Sequence, residues 1–245
     1  MNVLMLIVYG IPPGDLFSNE ALVNIRQLMA IGGYGVVEQP EQFGNPGDLK
    51  RLEVDTWDAF AESGKRCLWL SGSTESEIQS SAGEILDTRW EAGDIHGLSR
   101  QQFEQVLAWI KGDDWGACLI EDHGLRFANT EEIRSSYIRN LDHWLGLLFE
   151  FLDDETVVSI LFRPETRLSR FILAAPFVDP AGEVKGVETN DVAASLMHLC
   201  GLVRGEIGPE KLILKRKGSL EERTTDLSED EESILRERLS GLGYF

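Results

Sequence analysis

The stretch VLMLIVYG, covering Val3–Gly10, decides the fold of this chain. It contains six consecutive apolar residues, ends at Tyr9 and Gly10, and is followed closely by the Pro-Pro-Gly breaker at 12–14. A short apolar run that stops at such breakers is typical of a buried strand. A strand buried on both faces belongs in the middle of a parallel sheet covered by helices. Because ligands of open α/β sheets bind beyond the carboxyl ends of the strands, we expect the functional site near Tyr9.

Charge and length restrict the classes of partner. The 245 residues include 42 acidic and 23 basic side chains, which gives a formal net charge of -19. A negative surface of this size repels phosphate backbones, so nucleic acid and anionic membranes are not expected partners. No apolar run reaches the roughly 18 residues that a membrane span needs, and the chain enters its first strand without a basic leader. We therefore expect a soluble, cytoplasmic protein.

The three cysteines, Cys67, Cys118 and Cys200, are far apart in the sequence and lie in apolar surroundings. An odd number of isolated cysteines favours inert core thiols over a redox or metal role.

Strands and helices alternate along the rest of the chain. Apolar runs bounded by turn residues predict further strands, and 3.6-residue periodicity predicts the helices between them. Strands are expected at 35–37, 67–70, 117–120, 156–162 and 171–174. Helices are expected at 18–31, from about 55 to 64, near 75–86, from 99, from 129, at 191–199 and at about 228–240.

Capping residues predict where several of these helices begin. Ser18 is a candidate cap of the first helix, whose buried face would carry Leu22, Ile25, Leu28 and Met29 before Gly32-Gly33 ends it. Three other pairs have the spacing of capping boxes: Ser99 with Gln102, Asn129 with Glu132, and Ser228 with Glu231. Together the pattern predicts one three-layer α/β domain over 1–245, with a mostly parallel sheet and the helix at 228–240 packed on it.

Several segments, in order, resemble the alkaline phosphatase superfamily, in particular its type I phosphodiesterase and nucleotide pyrophosphatase-like branch. The similar segments cover most of the chain: SNEALVNIRQLMAIGGYG (18–35), DTWDAFAESGKRCLWLSG (55–72), YIRNLDHWLGLLFEFLDDETVVSILF (137–162), and FILAAPFV (171–178) followed by NDVAASLMHLCGL (190–202). The ending EESILRERLSGLGYF is also similar to the tail of many members.

The resemblance implies two divalent metals held by Asp and His, and a metal-activated Thr or Ser nucleophile. This chain departs from that pattern. The first-strand Asp of the family falls on Tyr9, the Asp-His pair falls at Arg163, and a late His falls near Thr166. A further Asp and His fall on Asp122 and Arg126, so only Asp122 keeps a ligand type.

The nucleophile of the family is also missing. It would lie between Tyr34 and Asp55, and that interval contains no Ser, Thr or Cys. Only eight residues separate Phe162 from Phe171, where family members carry a long insertion with late ligands and substrate contacts. The resemblance therefore implies a truncated, catalytically degenerate member, a pseudoenzyme without a cofactor.

Four residues are candidates for binding an anion in place of metals. Arg126 and Arg163, with Arg167 or Arg170, fall close to positions where the family has metal ligands. Guanidinium groups bind phosphate or carboxylate in a bidentate manner without a metal. One interpretation is an anion pocket formed by Tyr9, Arg126, Arg163 and Arg167. The other is that these arginines pair with the excess of carboxylates.

Three hypotheses for function stay open. The leading one is a degenerate member that binds a small anionic ligand or a protein partner. The alternative is an active metal-dependent phosphodiesterase or nucleotide pyrophosphatase whose Zn or Mn is held by Glu121, Asp122 and His123, or by a second subunit. Those three residues are the only carboxylate and imidazole cluster at a predicted strand end, and zinc sites usually have three or four protein ligands. The third is a structural role.

Overall fold

The described part of the computed structural model comprises residues 1–38, 66–71, 84–87, 94–112, 115–164, 168–202 and 212–217. The helices predicted at 55–64 and 228–240 lie outside it, as do Arg167 and Thr166. Within the described residues, no helix has the length and apolarity needed to span a membrane.

The first strand, β1 (Asn2–Tyr9), lies at the centre of the sheet, as its apolar sequence predicts. It pairs in parallel with β5 (Trp115–Asp122) on one side and with β6 (Thr156–Arg163) on the other. Most positions of these strands are buried, and β5 is buried throughout, because helices cover both faces of the sheet.

The described strands form one sheet in the order β4-β3-β5-β1-β6-β7-β2-β8. Of these, β7 alone runs against its neighbours β6 and β2, so the prediction of a mostly parallel sheet is confirmed. The remaining strands are β2 (Gly32–Glu38), β3 (Arg66–Ser71), β4 (Glu84–Asp87), β7 (Leu168–Ala174) and β8 (Gly182–Glu188).

Helices pack on both faces of the sheet. The described helices are α1 (Val23–Ile31), α2 (Ile95–Ile110), α3 (Gly124–Phe127), α4 (Glu131–Phe149) and α5 (Thr189–Leu199). Along β1, Leu4, Leu6 and Val8 face the core formed with α1, α2 and α4. Val3 and Ile7 face the opposite core, to which α5 contributes. This alternation produces the three layers that the sequence predicts.

The first helix begins five residues later than its predicted cap, Ser18. Leu22 occupies the cap position without a side-chain hydrogen bond, although the predicted buried face is confirmed. The carboxylate of Asp142 on α4 accepts a hydrogen bond from the backbone N–H of Ile25 at 2.7 Å. The cap of α1 therefore comes from a residue 117 positions away, which no local pattern could indicate.

The predicted caps of the next two long helices are also wrong. Asp94 caps α2 by accepting from the N–H of Gly97, so Ser99 lies inside the helix. Thr130, rather than Asn129, caps α4 by accepting from Ile133 N–H. Each helix begins at the residue whose side chain reaches an unpaired N–H, and several candidates lie within one turn.

Two edge strands were not predicted. Residues 84–87, expected to close a helix, form β4 beside β3, and β8 pairs in parallel with β2. Strand β2 itself begins at Gly32, where only a helix end was expected. A Cβ atom on Gly32 would lie 2.2 Å from the carbonyl oxygen of Leu173, so glycine permits β7 to pair closely there.

The cysteines lie in or beside the core. Cys67 and Cys118 are buried and Cys200 is half-buried. Burial raises the pKa of the Cys67 and Cys118 thiols, which favours the unreactive protonated form.

Candidate functional site

The candidate site lies at the carboxyl edge of the three central strands. Tyr9 ends β1, Arg163 ends β6, and Glu121 is the penultimate residue of β5. Parallel pairing sets Tyr9 directly beside Arg163 and Ile7 beside Glu121. The site predicted beyond Tyr9 therefore receives side chains from three neighbouring strands.

Tyr9 is the centre of this group. Its hydroxyl lies 3.4 Å from Glu121 Oε1, to which it donates, and accepts from Arg163 Nη1 at the same distance. The guanidinium carbon of Arg163 lies 5.3 Å from the centre of the Tyr9 ring. The phenol thus joins a buried carboxylate to a half-buried cation.

The imidazole of His123 lies on the Tyr9 ring. The two ring centroids are 4.2 Å apart and the planes differ by 11°. Burial, followed by the positive charges of Arg126 and Arg163, lowers the pKa of His123 from 6.5 to about 4. The imidazole is therefore uncharged at neutral pH, and the two guanidinium groups carry the positive charge near it.

Gly10 brings the segment after β5 against the end of β1. Its φ of +126° lies in a region that side chains rarely adopt, and a Cβ atom there would lie 2.5 Å from the backbone carbon of Leu125 and 2.7 Å from Arg126 N. Glycine at position 10 therefore permits the approach of α3, the short helix that carries Arg126.

Asp122 belongs to a different environment. It is fully buried, and it accepts hydrogen bonds from the Tyr137 hydroxyl at 2.5 and 2.7 Å and from Gly124 N–H at 2.8 Å. Ser99 also hydrogen-bonds to it. Burial raises the pKa of Asp122 to about 6, against the effect of these hydrogen bonds, and burial beside Asp122 raises the pKa of Tyr137.

The sequence analysis did not identify the residues that hydrogen-bond to Glu121 and Asp122. Ser99 and Gln102, predicted to form a capping box, are buried on α2, and Gln102 Nε2 donates to the carbonyl oxygen of Glu121 at 3.2 Å. Their three-residue spacing does place both side chains on one face of a helix. That face packs against β5, so the two residues do not cap the start of α2.

The predicted arginines divide into two groups. Arg126 and Arg163 both act electrostatically on His123. Arg170 lies elsewhere: its Nη1 donates to the carbonyl oxygen of Pro13 at 2.8 Å and its guanidinium lies over Phe17. Arg170 therefore supports the 11–17 turn.

Comparison with solved structures identifies the architecture. Murine ectonucleotide pyrophosphatase/phosphodiesterase 5 superposes with a TM-score of 0.58 at 9% identity, covering 88% of this chain and 100% of that one. Its human counterpart gives 0.58 at 8% identity, with 85% and 97% covered. Phosphonate monoester hydrolase from Silicibacter pomeroyi gives 0.52 at 11% identity, with 82% and 73% covered. No protein-family model matches the sequence, and no curated protein matches it.

The chain has an alkaline phosphatase-like fold. The resemblance seen in the sequence is confirmed at the level of the fold. The site residues differ from the pattern that the resemblance implies. The first strand ends in Tyr9, where a metal-binding Asp is expected, and β6 ends in Arg163, where an Asp-His pair is expected.

The residues at this edge do not fit a metal pair. Glu121 and Asp122 are consecutive on β5 and point to opposite faces, Glu121 toward Tyr9 and Asp122 toward Tyr137. Both oxygens of Asp122 already accept hydrogen bonds. Across the residues that the structure describes, no three His, Cys, Asp or Glu side chains are grouped as metal ligands would be.

Proposed function

We propose that this protein is a catalytically degenerate relative of the phosphoester hydrolases that share its fold, and that it binds a small anionic ligand beside Tyr9. The observation that carries the proposal is the replacement of expected metal ligands by side chains already bound to one another. Tyr9 contacts both His123 and Arg163, and its hydroxyl donates to Glu121, so these four side chains occupy the carboxyl edge of the central strands.

The two arginines support an anionic ligand at this edge, since the Glu121 carboxylate already accepts from the Tyr9 hydroxyl. Arg126 and Arg163 both act on His123, and the imidazole is uncharged. Arg163 and Tyr9 are half-buried and Arg126 is exposed, so a ligand from solvent can reach the guanidinium groups. Guanidinium groups bind phosphoryl oxygens through two parallel N–H donors, which gives strong and directional hydrogen bonds.

The proposal is tested by calorimetric titration of the full chain with inorganic phosphate and with AMP at low ionic strength. The double variant Arg126→Ala with Arg163→Ala is expected to lose about 100-fold or more in affinity, since each of the two charge-assisted interactions contributes about 1.5–3 kcal/mol. Arg100→Ala is the matched control, because Arg100 is an exposed arginine that pairs with Glu104 on α2. Equal affinities of the double variant and the wild type would refute the arginine site.

The metal-dependent alternative is tested on the same preparation. Zinc and manganese are added at low micromolar level and dialysed away, and retained metal is measured in wild type and in Asp122→Ala. We expect no retention that depends on Asp122. Near-stoichiometric metal that this substitution abolishes, together with hydrolysis of bis(p-nitrophenyl) phosphate, would overturn the proposal in favour of a hydrolase. If the chain binds another protein but binds no anion, the protein-partner hypothesis is favoured.

A further inference from the structure

One polar atom at the candidate site has no partner among the described residues. Nε2 of His123 is buried and makes no hydrogen bond to any described residue, and His123 is only 7% exposed. A buried polar group that lacks a hydrogen bond costs free energy, so each case needs an explanation. The neighbouring Asp122, in contrast, has hydrogen bonds to both carboxylate oxygens.

The surroundings of His123 restrict what its partner can be. The ring lies flat on Tyr9, which fixes the plane in which its nitrogen atoms point. The charges that lower its pKa are the guanidinium groups of Arg126 and Arg163, which have donors and no acceptor, and the nearby Glu121 carboxylate already accepts from the Tyr9 hydroxyl. An imidazole can carry a proton on Nε2 and donate it, so a ligand oxygen would supply the acceptor that Nε2 lacks among the described residues.

We propose that His123 Nε2 is the third hydrogen-bond donor of the anion site, beside the guanidinium groups of Arg126 and Arg163. This inference rests on the proposed function. The donors come from three places in the fold: Arg163 ends β6, His123 directly follows β5, and Arg126 lies in α3. Donors from three positions match a group with three or more oxygens better than a carboxylate, which has two.

His123 can be tested with two substitutions of opposite character. His123→Phe keeps an aromatic ring to lie on Tyr9 but has no donor. His123→Gln loses the ring but has an amide nitrogen that can take the place of Nε2. If the donor binds the ligand, His123→Phe weakens inorganic phosphate binding by about 10–100-fold, and His123→Gln restores most of it.

A spectroscopic measurement makes the test independent of the stability of the variants. In the ¹⁵N-labelled wild-type chain, titration with inorganic phosphate or with sulfate should shift the His123 Nε2 resonance in proportion to occupancy, with the His143 resonances as internal control. The anion that saturates at lower concentration identifies the ligand class.

The outcomes separate this inference from the proposed function. Phosphate binding that depends on both arginines, with wild-type affinity in His123→Phe and an unmoved Nε2 resonance, would overturn the role of His123 and leave the arginine site standing. If the wild-type chain binds neither phosphate nor sulfate, the proposed anion site fails, and this inference fails with it.

Discussion

The hydroxyl of Tyr137 lies within hydrogen-bond distance of both carboxylate oxygens of Asp122, at 2.5 and 2.7 Å. Both residues are almost fully buried, one on α4 and the other at the end of β5. The contact therefore joins the longest described helix to a central strand, and it occupies the one candidate metal ligand that the resemblance leaves in place.

Removing the Tyr137 hydroxyl should destabilise the fold. In Tyr137→Phe the Asp122 carboxylate loses a hydrogen bond while it stays buried, and such a loss costs about 1–3 kcal/mol. Urea unfolding followed by tryptophan fluorescence measures the change. Tyr34→Phe is the matched control, since the Tyr34 ring is half-buried against Phe17 and away from Asp122. Equal losses in the two variants would contradict a specific role for the Asp122 contact.

Asp122 and His123 should affect stability with opposite dependence on pH. Folding raises the pKa of Asp122 from 3.8 to about 6, so between about pH 4 and 6 the folded chain holds more protons there and stability falls as pH rises. Folding lowers the pKa of His123 from 6.5 to about 4, so the unfolded chain holds more protons and stability rises with pH. The two effects oppose each other over nearly the same range.

Single substitutions should reveal each effect. Asp122→Asn removes the contribution to stability that decreases as pH rises. The unfolding free energy of this variant should therefore rise more steeply from about pH 4 to 6 than that of the wild type. The unfolding free energy of His123→Gln should rise less steeply than that of the wild type, or fall, over the same pH range. For fully buried Asp122, a displacement of two pKa units corresponds to about 3 kcal/mol across the range. Urea unfolding in a pH series measures the slopes, and parallel curves for all three proteins would contradict the prediction.

Gly10→Ala should damage both stability and the site. Alanine at a φ of +126° is strained, and its Cβ would overlap the backbone at Leu125 and Arg126. We expect a loss of about 1–3 kcal/mol of unfolding free energy and weaker phosphate binding, because α3 must move away from β1. Gly14→Ala is the matched control, since a Cβ there meets no atom within 4 Å. Thermal unfolding and phosphate titration of both variants test the prediction, and a Gly10→Ala protein that behaves as Gly14→Ala would refute it.

How much the sequence could predict differs between the fold and the site. The apolar run at 3–8 and the periodicity of 137–148 predict β1 and α4, because burial leaves a repeating pattern in consecutive residues. Helix starts were predicted less well: Asp142 caps α1 from another helix, and that contact exists only once the chain has folded.

The same reason explains what was missed at the site. It could be predicted that strands ending near Tyr9, Glu121 and Arg163 meet at one edge, because parallel strands place their carboxyl ends together. That Asp122 points away from Glu121, toward Ser99 and Tyr137, depends on strand alternation and on the packing of two helices. A cluster of consecutive polar residues therefore resembled a metal site in sequence although its side chains diverge.

Glu121 should determine which oxyanion binds. Its carboxylate is buried, and Oε1 lies 3.4 Å from the Tyr9 hydroxyl, next to the proposed anion site. At neutral pH phosphate carries a proton that a carboxylate can accept, whereas sulfate carries none and is repelled. We therefore expect the wild-type chain to bind inorganic phosphate more tightly than sulfate. In Glu121→Gln the preference should shrink on the order of tenfold, mainly because sulfate binds better.

Calorimetric titration of both anions into both proteins measures this preference. Glu131→Gln is the matched control, because Glu131 is an exposed carboxylate that pairs with Arg134 on α4 and lies outside the site. That variant loses the same charge, so any general electrostatic effect appears in it as well. A change in preference that Glu131→Gln shares would show that total charge, and not the carboxylate beside Tyr9, selects the anion.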